Sequence, residues 1–163
     1  MRRTPRLALL IGLPALVAAA ALGSAASAQG PAGETLTLTE LERGSTFTHI
    51  RNTKAASRNA NLQGDLIVFT NPLADGAGKR VGTLHASCVT TTGARDFRRS
   101  VLTCHVAMVL RDGTLTAQAT TSPGVPTTNG TVTGGTGVYA NARGVFVSKE
   151  TERGSVDTIS LVG

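Results

Sequence analysis

The side chains able to do chemistry are few: three histidines, two cysteines, ten acidic residues and one glycine-rich run. His49, His85 and His105 are the imidazoles, and each has the chemistry of a general base or a metal ligand. No G-x-S-x-G elbow accompanies them to present a serine nucleophile. No C-x-x-C or H-x-x-x-H spacing occurs either, so no metal site is expected. The run Gly135-Thr136-Gly137-Val138-Tyr139-Ala140 fits G-x-G-x-x-A. That pattern cradles a pyrophosphate only between a strand and a helix. Here Asn141, Gly144 and a Val-Phe-Val strand follow, so Gly134, Gly135, Gly137 and Gly144 read as a structural corner where backbones approach closely. No cofactor is expected, and no catalytic residue is assigned from these motifs.

The strands that carry the cysteines place them. Val81 to Thr92 and Ser100 to Leu110 are both strand-like, with Gly93 to Arg99 between them. In a hairpin centred near Asp96, Cys88 falls opposite Cys104, since each lies eight residues from the centre. Directly opposed residues bring their Cβ atoms to about 4.5–5.5 Å, near the range a disulfide needs. A bridge closing this loop of about fifteen residues contributes on the order of 3 kcal/mol; the alternative is a pair of buried thiols. The same register sets His105 opposite Ser87, with His85 one step diagonal. The other face carries Leu84, Ala86, Cys88, Cys104, Val106, Met108 and Leu110. That face is apolar and points inward, which leaves His85 and His105 outside and solvated.

These strands belong to a chain whose beginning is read as a leader. Met1 to Arg6 holds three arginines, Leu7 to Leu22 is an apolar run broken by Gly12 and Pro14, and Ala26-Ser27-Ala28 supplies a small-residue cleavage pattern. Residues 1–28 thus read as a secretory signal peptide, which makes the protein secreted and the domain 29–163. The rival is an uncleaved membrane anchor, for which the run is short and proline-broken. Arg2-Arg3 leaves open whether export is by the twin-arginine or the general route. The mature chain of roughly 135 residues is one domain by size. Without Arg2, Arg3 and Arg6 it keeps 13 basic and 10 acidic residues, a net +3 against +6 for the whole chain. The basic residues are scattered apart from Arg95, Arg98 and Arg99, and aromatic residues make up 3% of the chain, too few for a stacking platform. Nucleic acid is therefore excluded as a partner, and no membrane partner is expected after cleavage.

The rest of the chain is short strands. Glu34 to Glu42 alternates Leu36 and Leu38 with Thr35, Thr37 and Thr39, the pattern of a half-buried strand. Thr46 to Ile50 follows, then a polar loop from Arg51 to Gln63. Asp65 to Thr70 and Arg80 to Thr90 flank a turn-rich loop carrying Pro72, Asp75, Gly76 and Gly78. Asp112-Gly113 marks a hairpin turn into Thr114 to Thr120. After a loop with Pro123, Gly124 and Pro126 come Thr131 to Thr133, Gly144 to Lys149 and Val156 to Val162. Nothing sustains a helical period. About eight short, evenly spaced strands predict an all-β fold, an antiparallel barrel.

Two motifs carry a family resemblance. Gly64-Asp65-Leu66, Phe69-Thr70-Asn71-Pro72-Leu73, Lys79-Arg80-Val81-Gly82 and Cys88 resemble the core of the allene oxide cyclase family. Thr133-Gly134-Gly135-Thr136-Gly137-Val138-Tyr139 with Ala142-Arg143-Gly144 is similar to the glycine corner that those cyclases share with dirigent proteins. The resemblance spans Leu36 to Lys149. It implies an eight-stranded, calycin-type antiparallel β-barrel with an apolar lumen, often a homotrimer, that binds a small hydrophobic ligand without a cofactor. In the plant cyclases that lumen folds an unstable epoxide fatty acid into a ring, using a polar anchor, a carboxylate and steric control. By resemblance, Ser45 and Asn71 hold a bound water, and Phe69 and Cys88 form pocket wall. The family's first-strand glutamate falls on Thr37 and its neighbouring asparagine on Thr39. Glu40 and Glu42 lie on the same strand, but a register slip to use them would disturb the Arg43-Gly44-Ser45 match. Two functions follow as expectations: a secreted barrel that steers cyclisation or coupling (an isomerase-type activity), or a barrel that only binds and carries such a ligand or serves as an interaction module.

Overall fold

The computed structural model describes residues 33–51, 60–152 and 154–162; the leader read at residues 1–28 lies outside them. The fold is all-β, a closed antiparallel barrel of eight staves built from nine strand segments. These are β1 (Thr35–Glu40), β2 (Thr46–Ile50), β3 (Leu66–Ala74), β4 (Arg80–Thr92), β5 (Val101–Leu110), β6 (Gly113–Thr121), β7 (Thr127–Gly135), β8 (Arg143–Thr151) and β9 (Gly154–Val162). From β3 to β9 each strand pairs with the next, so the path is a meander. β1 closes the ring by pairing with β9 along Thr35–Thr39 and with β3 at Thr39↔Ala74 and Glu40↔Leu73. β2 pairs with β3 further along, from Thr46↔Thr70 to Ile50↔Leu66. β1 and β2 are thus two halves of one stave, broken by the turn at residues 41–45.

That break explains a proline inside β3. The strand runs through Pro72, where the sequence reading put a loop. In a strand, a residue's N–H and C=O point to the same neighbour. The Pro72 carbonyl accepts from the Leu41 N–H, so its missing N–H faces the gap between β1 and β2, where no ladder bond is lost. β7 also starts earlier than its composition suggested. Its polar stretch Thr127 to Gly130 is held by β8 through Thr127↔Lys149 to Gly130↔Phe146, and backbone pairing there needs no apolar pattern.

Alternation fills the inside. Leu38, Leu73, Leu84, Ala86, Val106, Met108, Leu115, Val132, Phe146, Ile159 and Leu161 form the main core. Their outward neighbours, such as His85, Ser87 and His105, are exposed, as the hairpin register predicted. A smaller cluster of Ile67, Cys88, Leu102 and Cys104 fills the end of the barrel near β2. The glycine corner also has a physical cause. Gly137 has φ 62°, and a Cβ there would meet the Asp112 carbonyl oxygen at 2.3 Å. The corner therefore docks onto the β5–β6 turn through Val138 N–H to Asp112 O at 3.0 Å, a contact that excludes any side chain.

Candidate functional site

The lumen opens beside the β6–β7 loop and the β8–β9 turn as a cavity of about 220 Å³. Phe69, Leu84, Val106, Ala119 and Phe146 make its apolar wall, and exposed Val125, Pro126 and Glu150 stand at its mouth. Its polar side comes from three strands: Glu40 ends β1, Asn71 lies on β3 and Ser148 on β8. The closing β1–β3 contact brings the first two together, and Asn71 Nδ2 donates to Glu40 Oε2. Glu40 is only 8% exposed.

Behind Glu40 and Ser148 lies a second carboxyl. Asp157 is directly across from Ser148 on β8 and from Leu38 on β1, with its side chain on the inward face that carries Ile159 and Leu161. It is fully buried, and neither carboxyl oxygen accepts from a donor in good geometry among the described residues. Burial, and then the negative field of Glu40, push its pKa up to about 8, while the Ser148 hydroxyl pulls weakly the other way. With Asp157 protonated, its O–H can donate to the neighbouring Glu40 carboxylate, which favours the neutral form further. At neutral pH it is therefore a protonated acid stored behind a lumen carboxyl. A desolvated acid beside a like-charged neighbour is a recognised way of keeping a proton available near pH 7.

The structure draws the residues singled out by sequence into different places. Phe69 and Asn71 line the cavity. Cys88 and Cys104 are directly opposed and joined as a disulfide; Cys104 lines the cavity and Cys88 is buried behind it. Thr37 and Thr39 alternate with the inward Leu36, Leu38 and Glu40, so both point away from the lumen. Ser45 is exposed, and its hydroxyl donates to the Glu42 carbonyl at 2.7 Å, which is turn chemistry. Glu40 needs no register slip: it is inside at the register in which Ser45 sits in that turn. The signal for it was parity, since Glu40 is two residues beyond Leu38 as Asp157 is two before Ile159.

A second buried polar group occupies the end near the disulfide. His49 Nε2 donates towards Asn61 Oδ1 at 3.1 Å and Asp65 Oδ2 at 3.3 Å. Asp65 Oδ2 also accepts from the Leu62 N–H at 3.0 Å, and Asn61 Nδ2 donates to Thr90 Oγ1 at 2.8 Å. Asn61 and Asp65 are fully buried and Thr90 nearly so. His49 is thus a network member, tilted against Phe97 at 6.0 Å between ring centres, unlike the solvated His85 and His105.

No family model and no curated protein matches the chain. Solved structures do. A pyocyanin demethylase aligns over 79% of this chain and all of its own, with TM-score 0.65 and 22% identity. A pterocarpan synthase dirigent protein aligns over 79% of this chain and 88% of its own, with TM-score 0.54 and 19% identity. The chain has the dirigent-type barrel fold. A Diels-Alderase from Streptomyces koyangensis shares the same dirigent-type barrel, with TM-score 0.55 and 17% identity over 78% of this chain, which spans 61% of that protein's length. The resemblance read from the two sequence motifs is met at the level of fold.

Proposed function

We propose that this barrel binds a small hydrophobic molecule in its lumen and steers its cyclisation or coupling, with acid supplied by the Glu40–Asp157 pair. One observation carries the reading: a fully buried Asp157, with no hydrogen-bond donor in good geometry among the described residues, stands behind a carboxyl that lines an apolar cavity. A buried carboxyl without a donor is costly, and such groups cluster at functional sites. The apolar wall holds a flexible substrate in one folded conformation, so ring closure proceeds with the entropy of folding already lost on binding. Glu40, a carboxylate oriented by Asn71, faces positive charge that develops as the new bond forms, and Asp157 behind it holds the proton of the pair. The reading needs no cofactor. Fold relatives named for cyclisation and coupling chemistry, a Diels-Alderase and a pterocarpan synthase, support it by analogy of scaffold.

The test is product chirality. Purified mature protein is given epoxide fatty-acid esters, diene–dienophile pairs and quinone methides, and the enantiomeric excess of each product is measured. An excess that disappears in Glu40→Gln supports the reading, and racemic products at the uncatalysed rate throughout overturn it. The resemblance adds export after cleavage near Ala28 and a trimeric assembly, which N-terminal sequencing of secreted protein and sedimentation equilibrium would check.

A further inference from the structure

The lumen has a charge sign. Its formally charged lining residues are Glu40 within and Glu150 at the mouth, with Asp157 buried behind. No lysine, arginine or histidine lines it among the described residues. The nearest basic residue along β8, Lys149, is exposed, alternating with the cavity residue Ser148. Arg98 packs against Gly124, but it lines a separate cleft with Phe47, His49 and Phe97. Among the described residues, Glu40 is met by the Asn71 amide and by the protonated Asp157, neither of which is a cation.

A carboxylate in an apolar cavity without a counter-cation is a site waiting for positive charge. An anionic ligand entering here loses its hydration and meets repulsion from Glu40 and Glu150. A cationic one loses hydration but gains Glu40, and the aromatic rings of Phe69 and Phe146 border the same space. At about 220 Å³ the cavity exceeds the ~150 Å³ that accommodates a benzene ring, which leaves room for a fused aromatic system.

We infer that the natural ligand of this lumen is a cationic or protonated nitrogen heterocycle, bound with its charge against Glu40, and not a fatty-acid anion. The inference rests on the lumen site proposed above, but it concerns which molecules enter and not whether a bond forms. Selectivity comes from the pairing of Glu40 with a ligand cation, while the aromatic wall contributes affinity to any flat ring of the right size.

The experiment compares three probes of similar shape by calorimetric titration of the mature protein: N-methylquinolinium, methylnaphthalene and naphthoate. The cation is expected to bind at least about tenfold tighter than the neutral probe, with naphthoate weakest. In Glu40→Gln the advantage of cation over neutral probe falls below about threefold, while methylnaphthalene binds as before. Naphthoate binding as tightly as the cation overturns the inference, as does a cation advantage unchanged in Glu40→Gln. Should that variant fail to fold, the wild-type ranking decides alone, and Glu150→Gln reports the smaller share of the mouth. A barrel that selects the cation yet forms no bond in any substrate leaves this inference standing and removes the catalytic one. A barrel that turns over anionic epoxides does the reverse.

Discussion

Two buried polar groups sit within one small barrel, and they are built on opposite terms. At the disulfide end, Asp65 accepts from the Leu62 N–H and His49, and Asn61 from His49 while donating to Thr90. Behind the lumen wall, Asp157 is equally buried, but neither of its oxygens accepts from a donor in good geometry among the described residues. The first group ties a loop to β2 and β4 and returns the cost of its burial as hydrogen bonds. The second carries that cost unreturned, beside a cavity. Equal burial thus conceals unequal hydrogen bonding, and it is the unbonded group that calls for an explanation.

Mutation separates the two groups by the sign of the effect. Asp65→Ala strands the Leu62 N–H and His49 in the interior and is expected to cost about 3 kcal/mol or more, read from urea midpoints. Next in size, removing the Cys88–Cys104 bridge as the double alanine variant costs about 3 kcal/mol at most, because the loop it closes is short. Asp157→Asn works in the other direction. With its folded pKa near 8, against an ordinary 3.8, Asp157 holds a proton in the folded state that the unfolded chain has released across that window. The contribution of Asp157 to stability is therefore full below pH 4 and falls as pH rises towards 8, by up to about 1.4 kcal/mol per pH unit. Asp157→Asn flattens that slope, so urea midpoints measured from pH 5 to pH 9 should converge; a slope unchanged in the variant would mean that the lumen acid is ionised like any other. Smallest of all, Ser45→Ala changes stability by less than about 0.5 kcal/mol and leaves ligand affinity untouched, since its hydroxyl serves only the turn.

Much of this architecture is legible in the amino-acid order, because β-structure repeats every two residues. Equal distances from Asp96 place Cys88 against Cys104 and turn His85 and His105 outward, as the structure has them. The same parity, applied past Leu38 and back from Ile159, would have put Glu40 and Asp157 in the lumen. It is masked by fixing the expected carboxylate on Thr37, from which Glu40 is reached only by a register slip. What parity does not contain is closure. Glu40 meets Asn71 because β1 pairs with both β9 and β3, and no local pattern says which strands meet when a sheet curls round. Pro72 misled for a related reason: a proline reads as a turn unless it is known that the neighbouring stave is interrupted beside it.

Closure has a further consequence. β1 and β9 come from the two ends of the domain, and their seam is zipped from Thr35↔Ser160 to Thr39↔Val156. Such a long-range pairing must meet the entropy of joining distant chain segments, so it belongs to the late stages of assembly. The two carboxyls that define the lumen flank this seam, and they become neighbours only when the ring is complete. A chain that has formed only the β3 to β8 meander thus holds the aromatic wall but no acid pair. Alkaline pH should loosen the seam before any other part of the ring, which backbone amide exchange along β1 and β9 would show.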